Sequence, residues 1–136
     1  MASLPMVASG GGAMSETTLW TNPNTSASFG ATDVTLSESI QNYTHIKVYV
    51  AFGNAVAGQL DMVWSVLMPV SDFLGATVSG ASGRQLFTLT EITAGGAFRY
   101  RNTYYTGDTT VGFSQCYESG TVKNQQVLPL RVVGCK

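Results

Sequence analysis

Charge is scarce in this chain. Only 11% of its 136 residues are Asp, Glu, Lys or Arg, where an ordinary globular domain carries about 25%. Arg99, Tyr100 and Arg101 form too small a basic and aromatic cluster for a nucleic-acid platform, so no nucleic-acid partner is expected. Histidine occurs once, at His45, and cysteine twice, at Cys116 and Cys135. One histidine beside two distant cysteines does not make a zinc site, and no metal is expected. Gly10-Gly11-Gly12 lacks the Lys and Ser/Thr of a phosphate loop, and no Gly-x-Ser-x-Gly elbow occurs. A Ser-His-acid site converges from distant positions and is not excluded by spacing, but nothing here announces one. The chain is read as non-enzymatic and without a cofactor. No run reaches the ~20 apolar residues that cross a bilayer. No basic segment followed by an apolar core opens the sequence either, so neither membrane insertion nor a signal peptide is expected.

What fills the chain instead is apolar residues, at 44%, with Ser, Thr, Asn and fifteen glycines supplying the polarity. A chain of this length buries a sizeable core, hiding roughly two thirds of its extended surface. The few charges divide unevenly. Residues 1–83 hold one base against five acids, and residues 84–136 hold six bases against three acids. Such a split favours attraction between neighbouring copies if the halves stay apart in space.

Residues 1–15 read as an arm. Ala8-Ser9-Gly10-Gly11-Gly12-Ala13 is costly to order and has little area to bury. Leu4, Met6 and Val7 before it are candidate assembly contacts. From residue 16 onward the period is that of strands. Short strands are expected around Thr18–Thr21 and Thr32–Leu36, with one helical turn in Ser37–Asn42. Ile46, Val48, Val50 and Phe52 then alternate with His45, Lys47, Tyr49 and Ala51. Leu60, Met62, Trp64, Val66 and Met68 form the next apolar face. Val63 and Leu67 on its back suggest cover from another layer or a neighbouring subunit. The Gly-, Ala- and Ser-rich stretch from Ser71 to Gly83 reads as a long loop. Strands resume at Gln85–Ile92, Phe98–Tyr104 and Val111–Tyr117, the last carrying Cys116.

About eight strands, polar turns and no long helical period predict an all-β, antiparallel two-sheet sandwich, jelly-roll-like, over residues 16–136. Its expected core includes Ile46, Val48, Val50, Leu60, Met62, Trp64, Phe98, Leu128 and Leu130. Cys116 and Cys135 are expected as free buried thiols, although a disulfide between neighbouring strands is left open. Arg99, Arg101, Asn102, Tyr104, Tyr105 and Asp108 place guanidinium, amide, phenol and carboxylate within ten positions. That chemistry suits receptor or glycan recognition, set against the fact that alternate members of a strand face the core.

The chain ends on Leu128-Pro129-Leu130-Arg131-Val132-Val133-Gly134-Cys135-Lys136, a docked strand running to the last residue. Taken with Thr18-Leu19-Trp20-Thr21-Asn22-Pro23, with Leu36 to Tyr43 and with the strand His45 to Val50, this ending resembles the small β-sandwich domains that close tailed-bacteriophage fibres and related virion proteins. The resemblance implies a structural protein located in the virion, tail-tip or fibre-like. It implies a homotrimer touching other virion proteins, with a host-surface glycan as a candidate ligand. Val63, Leu67, Val127 and Val133 are the candidate subunit contacts on faces opposite the apparent core. A capsid decoration protein and a carbohydrate-binding module are the alternatives.

Overall fold

The computed structural model describes residues 14–78, 81–83 and 87–136. In chain order the strands are β1 (Glu16–Thr21), β2 (Thr32–Thr35), β3 (His45–Asn54), β4 (Gln59–Pro69), β5 (Ala76–Val78), β6 (Ala81–Gly83), β7 (Phe87–Ile92), β8 (Phe98–Gly107), β9 (Thr110–Phe113), β10 (Tyr117–Glu118), β11 (Thr121–Val122) and β12 (Leu128–Cys135). Two antiparallel sheets pack together as a β-sandwich. The first has the order β1-β12-β3-β4. In the second, β8 pairs with β7 on one side and with β10 and then β9 on the other, and β2 closes the far edge. The last strand therefore sits inside a sheet, between β1 and β3.

Register places Ile46, Val48 and Val50 in rows with Met68, Val66 and Trp64, and Val132 beside Val48. These residues face Val34, Leu89, Val111 and Phe113 of the second sheet across one core. Each such side chain contributes about 1.5–3 kcal/mol when fully buried. Ile40, in the 3-10 turn Ile40–Asn42, plugs one end, and Ser39 caps that turn by accepting from the Gln41 N–H at 3.1 Å.

Several expectations need correction. The segment read as a long loop holds a helix, α1 (Val70–Leu74), and the β5–β6 hairpin. Val70 and Phe73, three apart, turn one side of α1 into the core. The expected strand over Val111–Tyr117 is broken into β9 and β10, and β8 exchanges one partner for the other across the break. Met62 and Phe98, expected inside, are 60% and 49% exposed. Leu60, Trp64 and Leu130 are only half-buried. Cys116 and Cys135 are both free and buried, as expected.

Val133 is the plainest reversal. It lies in a row with Thr18 and Lys47 on the outer face of the first sheet, yet none of it is exposed. Its neighbours on that face explain this. Glu16 accepts from Lys47 Nζ at 2.5 Å and from the Tyr49 hydroxyl at 2.9 Å, and the Arg131 guanidinium stacks 4.0 Å above the Tyr49 ring. The long stems of these residues cover apolar surface while their heads meet solvent. Val133 is therefore not a subunit contact, and neither is Val127, whose side chain lies fully buried in the core. Val63 and Leu67, on the same face of β4, do remain exposed. Leu4, Met6 and Val7 lie outside the described residues. Ser15, just ahead of β1, exchanges two backbone hydrogen bonds with Lys136.

Candidate functional site: the outer face of the second sheet

Alternation along β8 divides the segment proposed for recognition. Arg99, Arg101, Thr103 and Tyr105 point inward, while Phe98, Tyr100, Asn102 and Tyr104 point outward. Both rows carry large side chains, so alternation alone does not say which row is the core.

The inward row is structural. Arg99 donates to Glu118 at 2.6 Å and to Glu91 at 3.1 Å, all three lying in one cross-strand row. Arg101 is 0% exposed and has no carboxylate partner among the described residues. Its guanidinium donates instead to the backbone carbonyls of Phe29 (2.7 Å), Ser114 (2.8 Å), Val127 (2.9 Å), Gln126 (3.1 Å) and Asn124 (3.4 Å). Ser114 belongs to the break between β9 and β10, where carbonyls have left the ladder and need other donors. A planar five-donor fork gathers them in a way no other side chain matches. Burial pushes the guanidinium down to about 10, which still leaves it charged at neutral pH. Arg101 is thus corrected from receptor contact to the brace of three loops.

Tyr105 and Asp108 are also committed inside the molecule. The Tyr105 ring meets Phe73 edge-on at 6.0 Å, and its hydroxyl donates to Asp108 Oδ1 at 2.6 Å. The other Asp108 oxygen accepts from Gln41 at 2.7 Å, which fastens the β8–β9 turn to the 3-10 turn. Of the six candidate recognition residues, Asn102 and Tyr104 alone face outward. Asn102 accepts from the Thr88 hydroxyl at 3.2 Å across the β7–β8 pair.

The outward row joins Tyr100, part of the aromatic chemistry read from sequence, to Phe98, expected in the core, and to Tyr117. Phe98 and Tyr100 lie 5.8 Å apart, and Tyr100 and Tyr117 lie 5.7 Å apart, all with tilted rings. Ile92 pairs with Phe98 and is 68% exposed, and Val122 pairs with Tyr117 and is also exposed. One end of this face is therefore a continuous aromatic and aliphatic patch spanning β7, β8, β10 and β11. At the other end the Tyr104 ring fills the place that a side chain at Gly112 would take, with Asp33 on the far side of that glycine.

Among the described residues, no group of three or more His, Cys, Asp or Glu side chains is placed to hold a metal. His45 opens β3, with Nδ1 3.0 Å from the Thr44 hydroxyl. No helix among the described residues is long and apolar enough to cross a membrane. No family model matches this chain, and no curated protein matches it.

Proposed function

We propose that this chain is a non-enzymatic structural component of a tailed-phage virion, tail-tip or fibre-like, that works through surface contacts and copy number. The observation that carries the reading is the outer-face patch in which exposed Ile92, Phe98 and Val122 flank the half-buried rings of Tyr100 and Tyr117. Contiguous exposed apolar surface with a polar surround is characteristic of protein contact sites. The resemblance of the terminal strand to fibre-end domains supplies the setting, and it makes a homotrimer and neighbouring virion proteins the partners. Exposed Val63 and Leu67 on β4 offer a second contact in such an assembly.

The test is imaging of intact particles carrying a labelled chain, alongside particles made with Phe98→Ser and Tyr117→Ser. The reading expects label at the tail and loss of incorporation in the double variant, with the purified variant still folded. Label over the shell makes the chain a decoration protein. Normal incorporation of the double variant removes the patch from assembly.

A further inference from the structure

A second feature lies at the opposite edge of the same sheet. β2 pairs with β9 on one side only, so its other edge keeps unpaired backbone groups. That edge and the β1–β2 connection enclose an open cleft of ≈ 380 Å³, at the lower end of the size range of small-ligand sites. Trp20, Phe29 and Val34 form its apolar side, and Asn24, Ser28 and Asp33 its polar side.

The Trp20 ring is fixed in place, 5.9 Å from Phe29 and 5.8 Å from Phe113. It is only half-buried, and its indole N–H has no hydrogen bond to a described residue. Asp33 is exposed, and its carboxylate has no hydrogen bond or ion pair among the described residues. Asn24 Oδ1 accepts from the Ser26 N–H at 3.0 Å, which leaves its amide NH₂ to donate outward. The cleft thus offers an anchored aromatic face, an unpaired acceptor and two donors within one small volume.

We propose that this cleft seats a neutral saccharide. One sugar ring lies with its C–H face on Trp20, and its hydroxyls donate to Asp33 and accept from the indole N–H and the Asn24 amide. The carboxylate disfavours an anionic ligand, and the polar wall disfavours a wholly apolar one. This inference concerns the isolated chain and does not depend on where the chain sits in a particle.

The experiment applies the purified full chain to an array of neutral hexose, deoxyhexose and N-acetylhexosamine oligosaccharides. Hits are then titrated in solution by Trp20 fluorescence in a Trp64→Phe background. The expected result is a saccharide that perturbs Trp20 emission and binds about ten-fold or more weakly to Asp33→Ala, the loss of a hydrogen bond to a charged acceptor. Asn24→Ala weakens it as well, and both variants melt with the parent because both positions are exposed. Phe98→Ser with Tyr117→Ser leaves the sugar affinity unchanged. Three outcomes overturn the proposal: no array member perturbs Trp20, binding is indifferent to Asp33→Ala and Asn24→Ala, or binding is lost through the Phe98 and Tyr117 variants instead.

Discussion

Arg101 helps to hold Val127 in a backbone conformation that a β-branched residue would not adopt alone. The Arg101 Nε–H donates to the Val127 carbonyl at 2.9 Å, and the Glu91 carboxylate accepts from the Val127 N–H at 3.1 Å. Val127 is β-branched and sits at φ 46°, in the left-handed region, where such a residue costs of order 1–3 kcal/mol unless its surroundings over-determine it. Here both of its backbone polar groups are taken by buried side chains, and its own side chain is fully buried in the core.

Replacing Arg101 with Met is therefore expected to destabilise the fold by on the order of 3 kcal/mol or more, since five carbonyls lose their donor at once. Arg101→Lys recovers part of the loss, because an ammonium has three donors and no fork. Urea unfolding measures both. A Met variant as stable as the parent would show that water replaces the guanidinium.

Thr103, next along the inward row, is fully buried, and its hydroxyl has no hydrogen-bond partner among the described residues. Thr103→Val removes an unpaired polar atom at nearly constant shape. It is expected to stabilise by about 1 kcal/mol, which thermal melting reads as a rise of a few degrees. A lower melting temperature would mean the hydroxyl is bonded in solution.

Glycine is required at Gly134 for a different reason. A Cβ there would stand 2.5 Å from the ring of buried Tyr43, so Gly134→Ala is expected to cost about 1–3 kcal/mol through overpacking. At Gly30 the nearest atom to a Cβ is 3.7 Å away. Gly30→Ala is expected to change stability by no more than about 0.5 kcal/mol. Equal losses at both sites in chemical denaturation would refute the steric account.

The Glu16 carboxyl is held below its ordinary value by hydrogen bonds from Lys47 and then Tyr49. Its folded value lies under the unfolded one, so its contribution is present above 4.5 and fades as the pH falls through the folded value. Hydrogen bonding to Glu16 raises Lys47, so on the alkaline side the contribution is present below 10.5 and fades as the pH climbs through the folded lysine value. Melting curves of the parent and of Glu16→Gln are expected to converge between about pH 6 and about pH 3. A constant gap would mean that Glu16 acts only through packing.

Burial pushes the Cys116 thiol up to about 11, and Cys135 is raised by the same cause. Neither forms much thiolate at about pH 8, so both are expected to resist a thiol reagent in the native protein and react fully in denaturant. Rapid native labelling of either one would place it at the surface.

Much of the architecture was legible in the amino-acid order. The alternation of Ile46, Val48 and Val50 fixed the inner face of β3, because only one register buries all three and a slip by one residue exposes them. The apolar ending from Leu128 to Cys135 marked a docked strand, since an exposed tail gains nothing from such residues. The outer face of the second sheet was less legible, and β8 shows why. Its even row holds Phe98, Tyr100 and Tyr104, its odd row holds Arg99, Arg101 and Thr103, and hydrophobicity alone turns the even row inward. The folded chain does the reverse. Carbonyls from Ser114, Phe29, Asn124, Gln126 and Val127 meet behind β8, and their demand for donors draws Arg101 in and leaves the aromatics outside. Likewise Val133 reads as a surface position until Glu16, Lys47, Tyr49 and Arg131 assemble around it from three strands. Local sequence sets a strand's period. Which of its faces is buried depends on backbone groups and side chains that only the tertiary structure brings beside it.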